Sequence, residues 1–234
     1  MKKLIDTIRN IFKIEELRNR ILYTLGLLLI YRLGSFVVLP GLNPEALANL
    51  QKQTADGILG LLDIFSGGAF SNASIFALGI MPYISASIVI QLLGIAIPYF
   101  QKLQKEGESG RRKINQWTRY LTIGILLIQA PAYLANLHVQ VNDSGAFVLG
   151  NSFLFTFSAT MVLIAGTMFV MWLGEKITDK GIGNGVSLII MIGIIARLPH
   201  AFLGEMNARF TTAGGGFVML IVELVLLFLV FAGT

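Results

Sequence analysis

The sequence predicts an all-α polytopic membrane protein, and three observations carry that prediction. Hydrophobic residues make up 55% of the chain and charged residues only 13%, against roughly 25% charged in soluble domains. Apolar segments recur along the chain, most of them near the ~20 residues a helix needs to cross the hydrocarbon core. The lysines and arginines between those segments fall almost entirely into alternate loops. The chain has no cysteine, which excludes a disulfide framework and thiolate metal sites. Its two histidines, His138 and His200, are expected in loops.

The first apolar run begins only at Ile21, is as long as a span and has no small-residue cleavage site after it. The N-terminus is therefore expected to be retained. Ahead of that run, Leu4, Ile5, Ile8, Ile11 and Phe12 repeat at helical spacing among Lys2, Lys3, Arg9, Lys13, Arg18 and Arg20. Residues 1–20 read either as a basic amphipathic helix lying on an anionic membrane surface or as a solvated basic flank that folds as a helix.

Six apolar segments follow: 21–39, 73–99, 120–137, 152–173, 185–198 and 216 to the end. The fifth is short. The sixth reaches Thr234 without a charged flank, so the chain is expected to be part of a longer protein. Thirteen Lys and Arg residues lie in the N-terminal arm, the 101–113 loop and the 174–181 turn, whereas the alternate loops carry only Lys52 and Arg209. That bias predicts a cytoplasmic N-terminus, and it accounts for the net charge of +5 without a nucleic-acid partner. Residues 40–72 become an external excursion. Within it, 58–71 is apolar but too short to span, which suits a re-entrant or buried helix.

The stretch FSGGAFSNASIFALGIMPYISASIVIQLL (65–93) is apolar enough for a bilayer, yet Gly67, Gly68, Gly79 and Pro82 interrupt it and Ser85, Ser87 and Gln91 make it partly polar. Broken helix is tolerated at membrane depth only where protein wraps it or it lines a water-filled path. The segment therefore points to a pathway. Ile80 and Ile84 lie one helical turn apart and share a face, as do Val186 and Ile190; that spacing fits core packing or a pore lining. Ser85, Gln91 and Gln129 are polar groups inside segments two and three, where an unpaired amide is costly. Two further intramembrane charges are Arg32, for which a pairing or a water-facing position is expected, and Glu223, for which a polar partner or a subunit contact is the plainer reading. GIGNG (181–185) lacks the strand and lysine of a phosphate-cradling loop, and reads as a tight turn into segment five.

Four of these stretches carry a resemblance. YRLGSFVVLPG (31–41), the 65–93 stretch, KEGESGRRKINQWTRY (105–120) and GTMFVMWLGEKITDKGIGNGVSLII (166–190) resemble the SecY family, the channel-forming subunits of the bacterial Sec protein translocase. The similarity runs in order from about residue 19 to 194. It implies the N-terminal half of a SecY-type helical bundle: spans 1 to 5 plus most of span 6, with a re-entrant plug helix. The implied organisation is a cytoplasmic helix over 1–20, the N-terminal half of the channel over 21–198 with the plug at about 57–72, and an external loop with span 6, opening the C-terminal half, over 199–234.

The same resemblance implies roles. Leu61, Leu62, Ile64, Phe65, Ser66, Gly67, Gly68 and Ala69 fall in the plug, with Gly67 and Gly68 as its hinge. Ile80, Ile84, Val186 and Ile190 match an apolar pore ring that seals by dewetting; the family more often has isoleucine at Val186. Ser85, Gln91 and Gln129 match one side of a lateral gate that releases signal sequences and transmembrane segments into lipid. Lys105, Arg111, Arg112 and Lys113 lie in a loop facing cytoplasmic partners.

The implied function is the central channel of the Sec translocon in the bacterial inner membrane, passing unfolded secretory polypeptides. Its implied partners are SecE-like and SecG-like small subunits, the SecA motor, the translating ribosome, signal sequences and nascent polypeptides, a YidC-type insertase and anionic lipids. The alternative is a small-solute transporter, since broken helices also build solute sites. Such sites gather polar residues at the break, whereas Ile80, Met81, Ile84 and Val186 are apolar. An intramembrane enzyme is disfavoured because the spans hold no histidine, cysteine or aspartate pair. No catalytic residue, metal or cofactor is expected.

Overall fold

Long apolar runs with few breakers satisfy their backbone within helices, and that is what the chain does. A computed structural model describes residues 13–44, 58–141, 153–211 and 216–233. Their helices are α1 (Glu15–Gly34), α2 (Ile58–Phe65), α3 (Met81–Ala96), α4 (Pro98–Lys105), α5 (Glu108–Val141), α6 (Phe153–Lys180), α7 (Gly185–Thr211) and α8 (Gly216–Gly233). Helix α6 sits centrally, packed against α1, α5 and α7, while α3 and α4 lie on α5, α2 on α7, and α8 on α7.

The helices depart from the predicted segments where local chemistry intervenes. Helix α1 starts at Glu15, so residues 15–20 are its first turns and not a separate amphipathic helix; the expected apolar pattern over Leu4–Phe12 lies outside the described residues, as does Gly57 of the expected plug. It also ends before 39. Ser35 caps it, donating its hydroxyl to the Arg32 carbonyl at 2.7 Å, and the chain then runs extended so that Leu39 N–H reaches Ala73 O at 2.9 Å and Ile75 N–H reaches Val37 O at 2.9 Å.

Segment two is not one helix. Residues 66–80 are turns, α3 begins at Met81, and α3 and α4 meet at an angle of 101°. The bend follows from Pro98, which lacks an N–H and drives the preceding Ile97 to φ −111°, ψ 122°, outside the helical region. Conversely, α5 and α7 run through Pro131 and Pro199. The helical pattern outlasts the apolar run at both places, so His138 and His200 lie in helices and not in loops.

Three helices among the described residues are long and apolar enough to cross a membrane alone, Glu108–Gln140, Phe153–Lys180 and Gly185–Gly204; the bent α3–α4 pair passes the same test only when its two helices are taken together, as a broken span or a re-entrant loop. Helix α1 overlaps predicted segment one over 21–34 and carries Arg18, Arg20 and Arg32, while α8 contributes the shorter apolar stretch Ile221–Val230.

Two buried clusters flank the broken segment. One joins Leu39, Phe70, Ala73 and Ala77 to Ala130, Tyr133, Leu137, Ala159 and Leu163 of α5 and α6. The other joins Leu27, Leu28 and Tyr31 of α1 to Phe76, Ile80, Val170, Leu173, Ile177 and Ile189. Each mixes residues 69–80 with the long helices, so the irregular stretch is wrapped by protein, as its backbone requires.

Candidate functional site

The site is built around α2 and the turns that follow it. Gly67 and Gly68 have φ of +66° and +92°, left-handed values that cost a residue with a Cβ about 1–2 kcal/mol. Space is short as well: a Cβ on Gly67 would sit 2.9 Å from the Cα of Gly193, and a Cβ on Gly193 would sit 3.0 Å from the Phe65 carbonyl oxygen. Glycine on both sides lets the turn lie directly on α7.

Side chains from three helices then tie the turn down. The Tyr31 hydroxyl donates to Ser66 O at 3.2 Å, Arg32 Nη1 to Gly67 O at 2.6 Å, and the Tyr133 hydroxyl to Phe70 O at 2.9 Å. Arg197 Nη2 donates to Ser71 Oγ at 3.0 Å and forms an ion pair with Asp63. Within the turn, Asp63 Oδ1 accepts the Ser71 N–H at 2.8 Å, and Ser66 Oγ accepts the Phe70 N–H at 3.1 Å while donating to Asp63 O at 3.0 Å. Arg32 thus has the pairing expected of it.

Asp63 and Arg197 were not singled out from the sequence. Their signal was present: an acid within ILGLLDIF and an arginine at the end of an apolar helix each require a partner at that depth. What the sequence lacked was their pairing, which depends on how α2 lies on α7.

The four expected ring residues meet. Ile80 is buried, and Ile84, Val186 and Ile190 pack against the same cluster. Ile80 precedes α3 and accepts the Ile84 N–H at 3.1 Å, which puts the pair one turn apart. Gly174 of α6 backs the group: a Cβ there would touch Val186 Cγ2 at 3.4 Å and both Ile189 Cδ1 and Ile80 Cδ1 at 3.5 Å.

The turn that aims Val186 and Ile190 is itself fastened at several points. Asn184 Oδ1 caps α7, accepting the N–H groups of Val186 and Ser187 at 3.0 and 3.2 Å. Thr178 Oγ1 accepts the Gly185 N–H at 2.9 Å, and Thr24 Oγ1 of α1 accepts the Ile182 N–H at 3.1 Å. GIGNG is therefore a joint between three helices, in keeping with the turn read from the sequence.

Beside Val186 of the expected ring lies a polar cavity of about 710 Å³, lined also by Tyr83, Arg111, Arg112, Arg119 and Glu175 among others. Arg119 closes on Glu175 with two hydrogen bonds, Nε to Oε1 at 3.1 Å and Nη2 to Oε2 at 2.5 Å, the bidentate geometry that gives such pairs directional strength. Val186 therefore shares one cavity with Arg111 and Arg112, which, with Lys113, lie in the first turns of α5 and not in the expected loop, because the helix begins already at Glu108. Lys105 ends α4, while Lys113 and Arg112 pair with Glu106 at 3.8 Å and Glu108 at 3.2 Å; exposed pairs of this kind contribute at most about 1 kcal/mol.

The three expected gate residues are exposed and are not joined to each other by hydrogen bonds among the described residues. Gln91 Nε2 donates to Ser87 Oγ at 3.3 Å within α3. Gln129 lines an apolar cavity of about 250 Å³ between α2, α3 and α5, together with Leu62, Phe70, Met81 and Tyr133. One gate candidate and one face of the expected plug thus border the same space. Of the plug candidates, Ser66, Gly67, Gly68 and Ala69 are buried, whereas Leu61, Ile64 and Phe65 are exposed.

Comparison with known proteins bears on the whole arrangement. The SecY family profile matches residues 74–234. The chain is 47% identical over 219 residues to the protein translocase subunit SecY of Escherichia coli strain K12, covering 94% of this chain and 48% of that protein. It is 50% identical over 186 residues to the namesake from Buchnera aphidicola subsp. Acyrthosiphon kondoi, covering 80% and 52% respectively. The chain belongs to the SecY family. A relative from Aquifex aeolicus is 45% identical over 200 residues, covering 85% of this chain and 47% of the relative. The chain spans about half the length of the curated SecY relatives it matches. SecY membership, with the apolar helices described above, makes this a helical, multi-pass membrane protein.

Proposed function

We propose that this chain forms the N-terminal half of the channel subunit of a Sec translocase, which passes unfolded secretory polypeptides across the membrane and releases apolar segments sideways into lipid. The observation that supports this most directly is the convergence of Ile80, Ile84, Val186 and Ile190 on one apolar cluster that also takes in Ala69 of the turn after α2. A constriction of aliphatic side chains excludes ions and water when narrow, and it parts around an extended chain without holding it by specific hydrogen bonds.

On this reading α2 and residues 66–72 are the plug, Ser85, Gln91 and Gln129 lie along the lateral gate, and the basic residues Lys105, at the end of α4, and Arg111, Arg112 and Lys113, at the start of α5, meet cytoplasmic partners. The cytoplasmic partners are SecA or a translating ribosome; the channel's other partners are SecE-like and SecG-like small membrane subunits, signal sequences and nascent polypeptides, a YidC-type insertase and anionic lipids. The subunit performs no chemistry of its own; the work comes from the motor, from chain elongation or from the proton-motive force. The Lys and Arg bias supports a cytoplasmic N-terminus in a bacterial inner membrane. The apolar ring argues against a solute transporter, whose sites gather polar groups.

The test is to reconstitute the full-length protein with SecE-like and SecG-like subunits and SecA, and to measure protection of a secretory precursor from external protease. Protection that depends on SecA and ATP is expected, together with a higher resting ion conductance on Ile80→Ser plus Ile84→Ser. Absence of precursor protection alongside saturable flux of a small solute would overturn the reading.

A further inference from the structure

We propose that Asp63 and Arg197 form an electrostatic latch that holds α2 in its seat on α7, with Arg32 holding the adjoining glycine turn. The inference rests on the channel reading for its consequence but not for its geometry.

Apolar burial alone does not account for the seat. Leu61, Ile64 and Phe65 of α2 are 56%, 39% and 39% exposed, whereas the side chain of Asp63 on the same helix is only 3% exposed. The most enclosed side chain described on this short apolar helix is thus its carboxylate, with both oxygens engaged, Oδ1 by the Ser71 N–H and Oδ2 by Arg197. Arg197 Nη2 also donates to Ser71 Oγ at 3.0 Å, so one guanidinium from α7 grips the α2 end and the far end of the 63–71 turn together. Gly68 makes room for it: a Cβ there would lie 3.0 Å from Arg197 Nη2. At the neighbouring residue, Arg32 Nη1 holds Gly67 O at 2.6 Å.

This arrangement has the properties of a reversible catch. A paired and hydrogen-bonded buried charge is tolerated, while a buried charge stripped of its partner is strongly unfavourable. Withdrawal of α2 must therefore break the Arg197 contacts to Asp63 and Ser71 as a unit and carry Asp63 to where water can solvate it. Re-seating restores both at once. The two-ended grip favours two discrete positions over a gradual loosening.

The experiment uses the full-length protein with its membrane partner subunits in proteoliposomes, with any cysteine beyond these residues replaced. Spin labels at Leu61→Cys and Leu198→Cys, both exposed positions, report the distance between α2 and α7 by pulsed electron resonance. Resting ion conductance and precursor translocation are measured on the same preparations. Asp63→Asn keeps an acceptor for the Ser71 N–H but removes the charge; Arg197→Gln removes the other partner.

Each single variant is expected to raise the long-distance population about tenfold or more. The double variant D63N/R197Q is expected to open less than the product of the two single effects, because no stranded charge remains. Unchanged distances in both single variants, or effects that multiply independently, would overturn the latch. Distances that shift with no change in conductance or translocation would leave the latch standing and sink the channel reading. Wild-type translocation with unmoved distances in the variants would do the reverse.

Discussion

Arg32 Nη1 donates a 2.6 Å hydrogen bond to the carbonyl of Gly67, joining the first helix to the glycine turn 35 residues later. The same guanidinium lies over the Phe36 ring, 5.0 Å from its centroid. The turn is therefore positioned by α1 as much as by the helices that follow it. Arg32→Leu leaves the Gly67 carbonyl without this donor, and a loss of about 1–3 kcal/mol is expected. Phe36→Leu removes only the ring contact, about 0.5–1 kcal/mol. Thermal unfolding of the purified full-length protein in detergent checks both, and equal losses would contradict the ranking.

Gly193 matters through what lies opposite it. A Cβ there would stand 3.0 Å from the Phe65 carbonyl oxygen and 3.3 Å from the Gly67 nitrogen. Backbone atoms yield less readily than side-chain ends, so Gly193→Val is expected to lift the turn from α7 and to cost about 1–3 kcal/mol. Gly124→Ala has nothing within 4 Å to meet and should stabilise its helix by about 0.5–1 kcal/mol. Hydrogen exchange over residues 66–74 separates the two: faster in the first variant, unchanged in the second.

Thr24 holds the turn before α7 from a distance of 158 residues. Its Oγ1 accepts the Ile182 N–H at 3.1 Å and donates to Arg20 O at 2.8 Å. Thr24→Val keeps the shape and removes the acceptor, so a loss of about 1–3 kcal/mol is expected from the stranded amide. Thr24→Ser should recover most of it, and a Ser variant as unstable as the Val variant would count against the hydrogen bond.

Thr167 predicts the opposite sign. Its side chain is fully buried in α6 and Oγ1 has no hydrogen-bond partner among the described residues. Thr167→Val replaces an unsatisfied hydroxyl with a methyl group of similar shape, and a gain of about 1 kcal/mol is expected. A lower melting temperature in detergent would show that the hydroxyl is bonded.

Much of this protein was legible in its sequence because membranes impose simple rules. Apolar length and alternating Lys and Arg content give helices and their expected order, and a Gly- and Pro-broken apolar stretch marks the place where protein must wrap the backbone. The 65–93 motif marked the broken stretch around which the candidate site is built, and i, i+4 spacing put Ile80 with Ile84 and Val186 with Ile190. Helix ends were less legible, since Pro98 bends its helix while Pro131 and Pro199 do not stop theirs; neighbouring helices decide whether a proline ends a helix or sits within it.

What only the tertiary structure decided is which distant groups meet. No periodicity links Asp63 to Arg197, Arg32 to Gly67 or Thr24 to Ile182, because hydrogen bonds and ion pairs between separate helices depend on how the helices lie in space. The sequence by itself determined that the chain is a helical membrane protein with a broken, wrapped segment at its centre. Tertiary packing determined that two apolar clusters wrap this segment and that the turn after α2 is further held by charges and hydrogen bonds from three surrounding helices, since such contacts form only where the packing brings separate helices together.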